Sequence, residues 1–108
     1  MSKFEIKKDK AGEFRFNLKA SNGQVILSSE GYKAKPSSMN GIESVRKNSQ
    51  IDERFERRQT STGHKFDLKS SNGQVVGTSE VYTTIAAMEN GISSVKKNAP
   101  LATVDDQS

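Results

Sequence analysis

A stretch of this chain is written twice. Ser21-Asn22-Gly23-Gln24-Val25 returns fifty residues later as Ser71-Asn72-Gly73-Gln74-Val75. Ser29, Glu30 and Tyr32 return as Ser79, Glu80 and Tyr82. Asn40-Gly41-Ile42 returns as Asn90-Gly91-Ile92, and Ser44, Val45, Lys47 and Asn48 return as Ser94, Val95, Lys97 and Asn98. Between positions 16 and 48, 18 of 33 residues are identical to their counterparts. Agreement that dense is a duplication, and a fixed period of this size is the signature of a repeat architecture. Phe4-Glu5 and Gly12 match Phe55-Glu56 and Gly63 at an offset of 51, so one residue was gained or lost after the first turn.

Each repeat reads as three strands and a helix. Phe4 and Ile6 alternate with polar residues, then Asp9-Lys10-Ala11-Gly12 turns the chain. Phe14, Phe16, Leu18 and Ala20 alternate with Arg15, Asn17 and Lys19, which is the period of a half-buried strand. Asn22-Gly23 then predicts a two-residue type I′ hairpin. That register sets Leu18 opposite Leu27, Ala20 opposite Val25, Arg15 opposite Glu30, and Lys65 opposite Glu80. Leu68 faces Gly77, so the halves cannot pack identically. Helices are expected from about Pro36 to Asn48 and from about Thr83 to Asn98, each with an internal glycine, Gly41 or Gly91, beside its apolar stripe. Those glycines point to close approach of the helix to a sheet or to its twin.

A repeat of this size buries little by itself. Leu, Ile, Val and Phe number only 22 in the 108 residues. The expected fold is therefore α+β: two tandem βββα repeats related by a pseudo-twofold, forming one antiparallel sheet with two helices packed on it. Residues 1–98 make a single domain, with repeat one over about 3–50 and repeat two over about 51–98. Residues 99–108 are expected to be a flexible acidic tail, with 101–104 a candidate for one more short strand.

Lys10-Ala11-Gly12-Glu13-Phe14-Arg15-Phe16, Leu18-Lys19-Ala20-Ser21-Asn22-Gly23 and Asn40-Gly41-Ile42-Glu43-Ser44-Val45-Arg46-Lys47-Asn48 resemble the YegP-like family. These are small bacterial proteins of unknown function, often tandem repeats. The resemblance runs over residues 3–98 and implies one continuous sheet with the helices on it; it implies no activity. The first turn of repeat two, Thr60-Ser61-Thr62-Gly63-His64-Lys65, departs from the pattern, and Arg57 stands where Ile6 is apolar.

Composition closes several functional classes. The chain has no cysteine, so no disulfide framework, thiolate metal site or cysteine nucleophile is available. One histidine rules out a multi-histidine metal centre. No apolar run suggests a membrane span or secretory signal, and a cytoplasmic location is expected. His64 lies near Ser61, Thr62 and Asp67 in sequence, but a triad is a matter of geometry, and the expected role is a strand-end histidine. Asp52, Glu53 and Glu56 are interleaved with Arg54, Arg57 and Arg58, which makes a self-neutralising segment. No catalytic residue, metal site or cofactor is assigned.

Two candidate surfaces remain. Residues 1–50 carry ten Lys and Arg against five acids, and 51–108 carry seven against eight. Lys3, Lys7, Arg15 and Lys19 share the solvent face of repeat one, a candidate for phosphate contact through counterion release. That face lacks the aromatic ladder of base-stacking sheets. The second surface is the duplicated strand–helix junction, Ser29, Glu30 and Tyr32 with Ser79, Glu80 and Tyr82, read first as structural and otherwise as a pair of small-ligand sites. The leading functional expectation is a small non-enzymatic interaction module, monomeric, with a protein partner. Sequence-tolerant nucleic-acid binding is the alternative. A sheet edge left open at Phe4 or Phe55 is a further place for another chain to pair.

Overall fold

The computed structural model describes all 108 residues. Repeat one contributes strands β1 (Lys3–Lys8), β2 (Phe14–Lys19) and β3 (Val25–Ser28), then helix α1 (Lys35–Asn48). After a 3-10 turn at Asp52–Arg54, repeat two gives β4 (Phe55–Thr60), β5 (Gly63–Lys69), β6 (Val75–Thr78) and α2 (Ile85–Asn98). A last strand, β7, covers Thr103–Asp106. Pro36 sits in the first turn of α1, where its missing N–H costs nothing. The Thr84 hydroxyl caps α2 by accepting from the Ala87 N–H at 3.0 Å. No helix is long and apolar enough to cross a membrane.

All seven strands join one sheet in the order β4-β5-β6-β3-β2-β1-β7. The six repeat strands read the same from either end. They meet at the centre where β3 and β6 pair antiparallel through Ser28 and Thr78, so a pseudo-twofold axis passes there. Both helices lie on one face. α1 packs on β2 and reaches over to β5 and β6; α2 packs on β5 and reaches over to β3. One core of 17 buried residues runs under both helices. Its aromatic pattern is duplicated. Phe4 meets Phe16 edge-on at 5.9 Å and Phe16 stacks on Tyr32 at 6.3 Å; Phe55, Phe66 and Tyr82 repeat this at 5.7 and 6.4 Å. At the axis the copies differ, as Leu68 opposite Gly77 requires. A Cβ on Gly77 would lie 2.6 Å from Leu27 Cδ2, so Leu27 fills the space that its counterpart leaves.

Several expectations are corrected. The sheet is mixed, because β7 runs parallel to β1 with Phe4 level with Val104 and Ile6 level with Asp106. The tail expected to be flexible over 99–108 therefore contains an ordered edge strand, at 103–106 rather than 101–104. The hairpins are not type I′. Within these loops only Gly23 and Gly73 have positive φ, and the Ala20 N–H donates to the Gln24 carbonyl, closing a three-residue loop around Ser21-Asn22-Gly23. Lys19 consequently pairs with Val25, and a bulge restores the predicted Leu18–Leu27 pair. The length difference between repeats sits inside the first turn. Gly12, with φ 81°, belongs to a loop that repeat two shortens to Ser61-Thr62, so Gly63 is a strand residue and not its counterpart.

Candidate functional site

The basic face is largely neutralised where it stands. Glu5 is 4% exposed on the outer face of β1. Lys7 and Lys19 lie 3.2 Å from it and Lys3 lies 3.6 Å away. Burial pushes the Glu5 carboxyl up, but the bonds from Lys19 and Lys7 outweigh burial and hold it below its ordinary value. Lys3 also reaches Asp105 of β7 at 3.2 Å, which raises the lysine. Arg15 does not meet Glu30. Its Nε donates to Asp9 at 2.7 Å, because the Asp9 side chain is already turned in to accept the Ala11 and Glu13 N–H groups. Nor is an ion pair made between Lys65 and Glu80: Lys65 is level with Arg58, which binds Asp67 instead. Four cations thus face three carboxylates, and the density of positive charge expected from Lys3, Lys7, Arg15 and Lys19 is mostly cancelled. Two of those carboxylates were legible as alternating acids in β1 and its turn; Asp105 was not, because it arrives with β7.

The strand–helix junctions are packed. The Phe16 N–H donates to Ser29 Oγ at 2.9 Å, and that hydroxyl donates to the Glu30 carbonyl at 2.8 Å. Phe66, Ser79 and Glu80 repeat the pair at 3.0 and 2.7 Å. Each serine fills a gap in the backbone ladder. Tyr32 and Tyr82 lie with their hydroxyls over Gly41 and Gly91, where a Cβ would come within 2.5 Å of the oxygen. This is why the helices carry glycine there. Burial, then the nearby Glu30 or Glu80 charge, raises both phenols. Glu30 and Glu80 stay exposed. No cavity opens at either junction; the three clefts of the surface lie elsewhere.

His64 and Asp67 do not converge. Side chains alternate along β5: His64 lies on the helix side, while Asp67 on the other face binds Arg58 at 3.0 Å and accepts from Thr78 at 2.6 Å. The acidic run after α1 is neutralised mainly from other elements and only in part by its own arginines: Asp52 is bound by Lys96 of α2 at 2.7 Å and by Arg57 at 3.2 Å, and Glu56 by Lys69 of β5 at 2.7 Å, while Arg58 turns to Asp67. Arg57, in the place of Ile6, crosses the core rim to Glu89 at 2.6 Å.

Two polar clefts gather the duplicated residues that the sequence reading left without a role. In the first, of about 390 Å³, Ser21 and Asn22 of the repeat-one hairpin face Asn90, Ser94, Lys97 and Asn98 of α2. In the second, of about 300 Å³, Ser70 and Ser71 of the repeat-two hairpin face Asn40, Ser44, Lys47 and Asn48 of α1. Each cleft therefore exists only when both repeats are assembled. Some members are structural: Asn48 and Asn98 donate back to Ser44 and Ser94 within their helices. Asn40, Asn90, Lys47 and Lys97 are exposed and bind nothing in the chain. Of the exposed positions on α1, Pro36, Ser37, Met39 and Glu43 differ from their counterparts on α2, and Asn40 and Lys47 alone are kept. The clefts also differ. Glu43, which pairs with Arg46 at 3.5 Å, lines the second cleft with Lys47, whereas Ser93 lines the first with Lys97, so only the first cleft has a cation and no carboxylate.

The comparisons with known proteins follow the same repeat. The model of a family described as a domain of unknown function, DUF1508, matches the chain twice, over residues 9–56 and 60–106. A UPF0339 protein encoded in the ptx operon 5′ region of Stutzerimonas stutzeri is 66% identical over 55 residues, covering 51% of this chain and 50% of that protein. The chain thus spans half the length of that relative. A UPF0339 protein of Agrobacterium fabrum is 67% identical over 49 residues, 45% of this chain and 79% of its own length. That relative is about 62 residues long, room for one repeat. The solution structure of YegP from Escherichia coli, described as a protein of unknown function, superposes with a TM-score of 0.93 at 46% identity, covering 98% of this chain and 92% of that one.

Proposed function

Because the chain belongs to this family of domains of unknown function, DUF1508, to which no activity is attached, we propose a function from its own geometry. It is a non-enzymatic binding module of the cytoplasm that holds a partner protein in the pair of clefts between its repeats. The observation that carries this reading is the retention of Asn40/Asn90 and Lys47/Lys97, exposed and unpaired, on helix faces where every other exposed position of α1 has diverged. Lys47 and Lys97 also suit the C-terminal dipole of their helices, but Asn40 and Asn90 have no such role, and all four line open space that faces the opposite repeat's hairpin. The first cleft, lined by Lys97 and no acid, suits a carboxylate on the partner; the second, lined by both Lys47 and Glu43, suits a neutral polar group.

The alternatives have less support. Phosphate binding by Lys3, Lys7, Arg15 and Lys19 works against Glu5, Asp9 and Asp105 on the same face. A small-ligand site at Ser29 and Ser79 works against hydroxyls that already serve the backbone. The test is a photo-crosslinking amino acid placed in bacterial cells at position 90, at 40, and at exposed Ser37 as control. A discrete protein adduct is expected from 90, weaker from 40, absent from 37, and lost with Lys97→Glu. Equal adducts from all three positions, or none from 90, refute the reading.

A further inference from the structure

The pseudo-twofold relates two sheet edges that are treated differently. β1 is covered by β7. β4, its counterpart, ends the sheet with no strand beyond it. Its outward N–H and C=O groups form a template for an added strand. We propose that the β4 edge receives an extended segment of a partner protein, parallel to β4, with apolar side chains level with Phe55 and with Arg57 on the helix side. This site is independent of the clefts.

The chain contains its own precedent. In β7, Val104 is level with Phe4 and Asp106 with Ile6. Alternation puts both on the helix side, where Lys35, the first residue of α1, binds Asp106 at 2.8 Å. The matching residues at β4 are Phe55, Arg57 and Ile85, the first residue of α2. Ile85 is 59% exposed despite being apolar. It lines an open groove of about 330 Å³ with Arg57, Gln59, His64, Met88 and Glu89. Arg57 is already answered by Glu89 and Asp52, so no free cation waits there for a carboxylate. The segment that fits repeats the valine of β7 and replaces its second aspartate by an apolar residue. The chain's own tail, from this copy or another, is the wrong occupant. It would set Asp106 against Ile85, where the ion pair that Lys35 gives it at 2.8 Å in β7 has no counterpart.

Two synthetic peptides test this on the full chain by amide NMR: Ala-Thr-Val-Asp-Val-Gln, and Ala-Thr-Val-Asp-Asp-Gln, which copies the tail. The valine peptide should shift the amides of residues 54–59 and of Ile85 and bind about tenfold tighter than the aspartate peptide. Ile85→Lys, an exposed change that rebuilds the Lys35 arrangement, should reverse that preference. Absence of shifts along β4 with the valine peptide, shifts confined to β1, or an unchanged preference in Ile85→Lys would overturn the proposal.

Discussion

Exchanging the residues at the pseudo-twofold axis is the sharpest test of how the two repeats share one core. Leu27 is fully buried, and a Cβ added to Gly77 would lie 2.6 Å from its Cδ2, closer than real Cβ atoms come. Leu27→Gly removes a complete core side chain and adds strand entropy, so it should destabilise the fold by roughly 3–5 kcal/mol. Gly77→Leu overpacks the same space and should cost roughly 1–3 kcal/mol. If the two positions share one cavity, the exchange Leu27→Gly with Gly77→Leu moves the leucine across the axis and refills it. The double variant should then lie within about 2 kcal/mol of the parent, a coupling of about 2 kcal/mol or more. Urea titrations followed by circular dichroism read these differences, and each kcal/mol corresponds to roughly 4–8 °C in Tm for a domain of this size. Additive losses in the double variant would refute a shared cavity.

Three further outcomes are expected. Ser29→Ala and Ser79→Ala strand the buried Phe16 and Phe66 N–H groups and should each cost about 1–3 kcal/mol in the same titration; a change near zero would reopen the junctions as something other than structural. Gly41→Ala should destabilise, although alanine in an unconstrained helix gains about 1 kcal/mol over glycine, because its Cβ would meet the Tyr32 hydroxyl; a gain in Tm contradicts that contact. Lys35 and the Ser108 contacts hold the Asp106 carboxyl down at about 2, and Gln107 and Lys3 hold Asp105 below its ordinary value. With folded values depressed, the stabilisation is present above the unfolded carboxylate pKa near 4 and lost as pH falls toward 2. Hydrogen exchange should show β7 losing protection across that window before β2 and β3 do, and protection of β7 that is flat to pH 2 counts against the ion pairs.

The repeat made most of this architecture legible. Strong alternation at Phe14-Arg15-Phe16-Asn17-Leu18 and the Leu68–Gly77 mismatch predict β2, the shared core and its asymmetry, and the structure has them. The turns are less legible. Asn-Gly supports more than one loop length, and the Asn22 side chain, accepting from the Gln24 N–H, favours the three-residue form. β7 was nearly invisible: Thr103-Val104-Asp105-Asp106 has a single apolar residue, and its pairing depends on Lys3, 102 residues from Asp105, and Lys35, 71 residues from Asp106. That strand also decided the basic face and left β4 as the open edge. The clefts were spelled out as duplicated residues, but only the crossing of each helix toward the other repeat's hairpin brings them together.

The proposed clefts between the repeats and the basic sheet face are rival binding surfaces. An amide-shift map of the labelled chain decides between them, taken with the protein captured at position 90 and separately with mixed-sequence DNA and RNA at moderate salt. Binding in the clefts should give partner-induced shifts at Ser21, Asn22, Asn90 and Lys97, with smaller ones at their counterparts, and a silent basic face with nucleic acid. Salt-sensitive shifts gathered on Lys3, Lys7, Arg15 and Lys19, with the clefts unmoved, would contradict it.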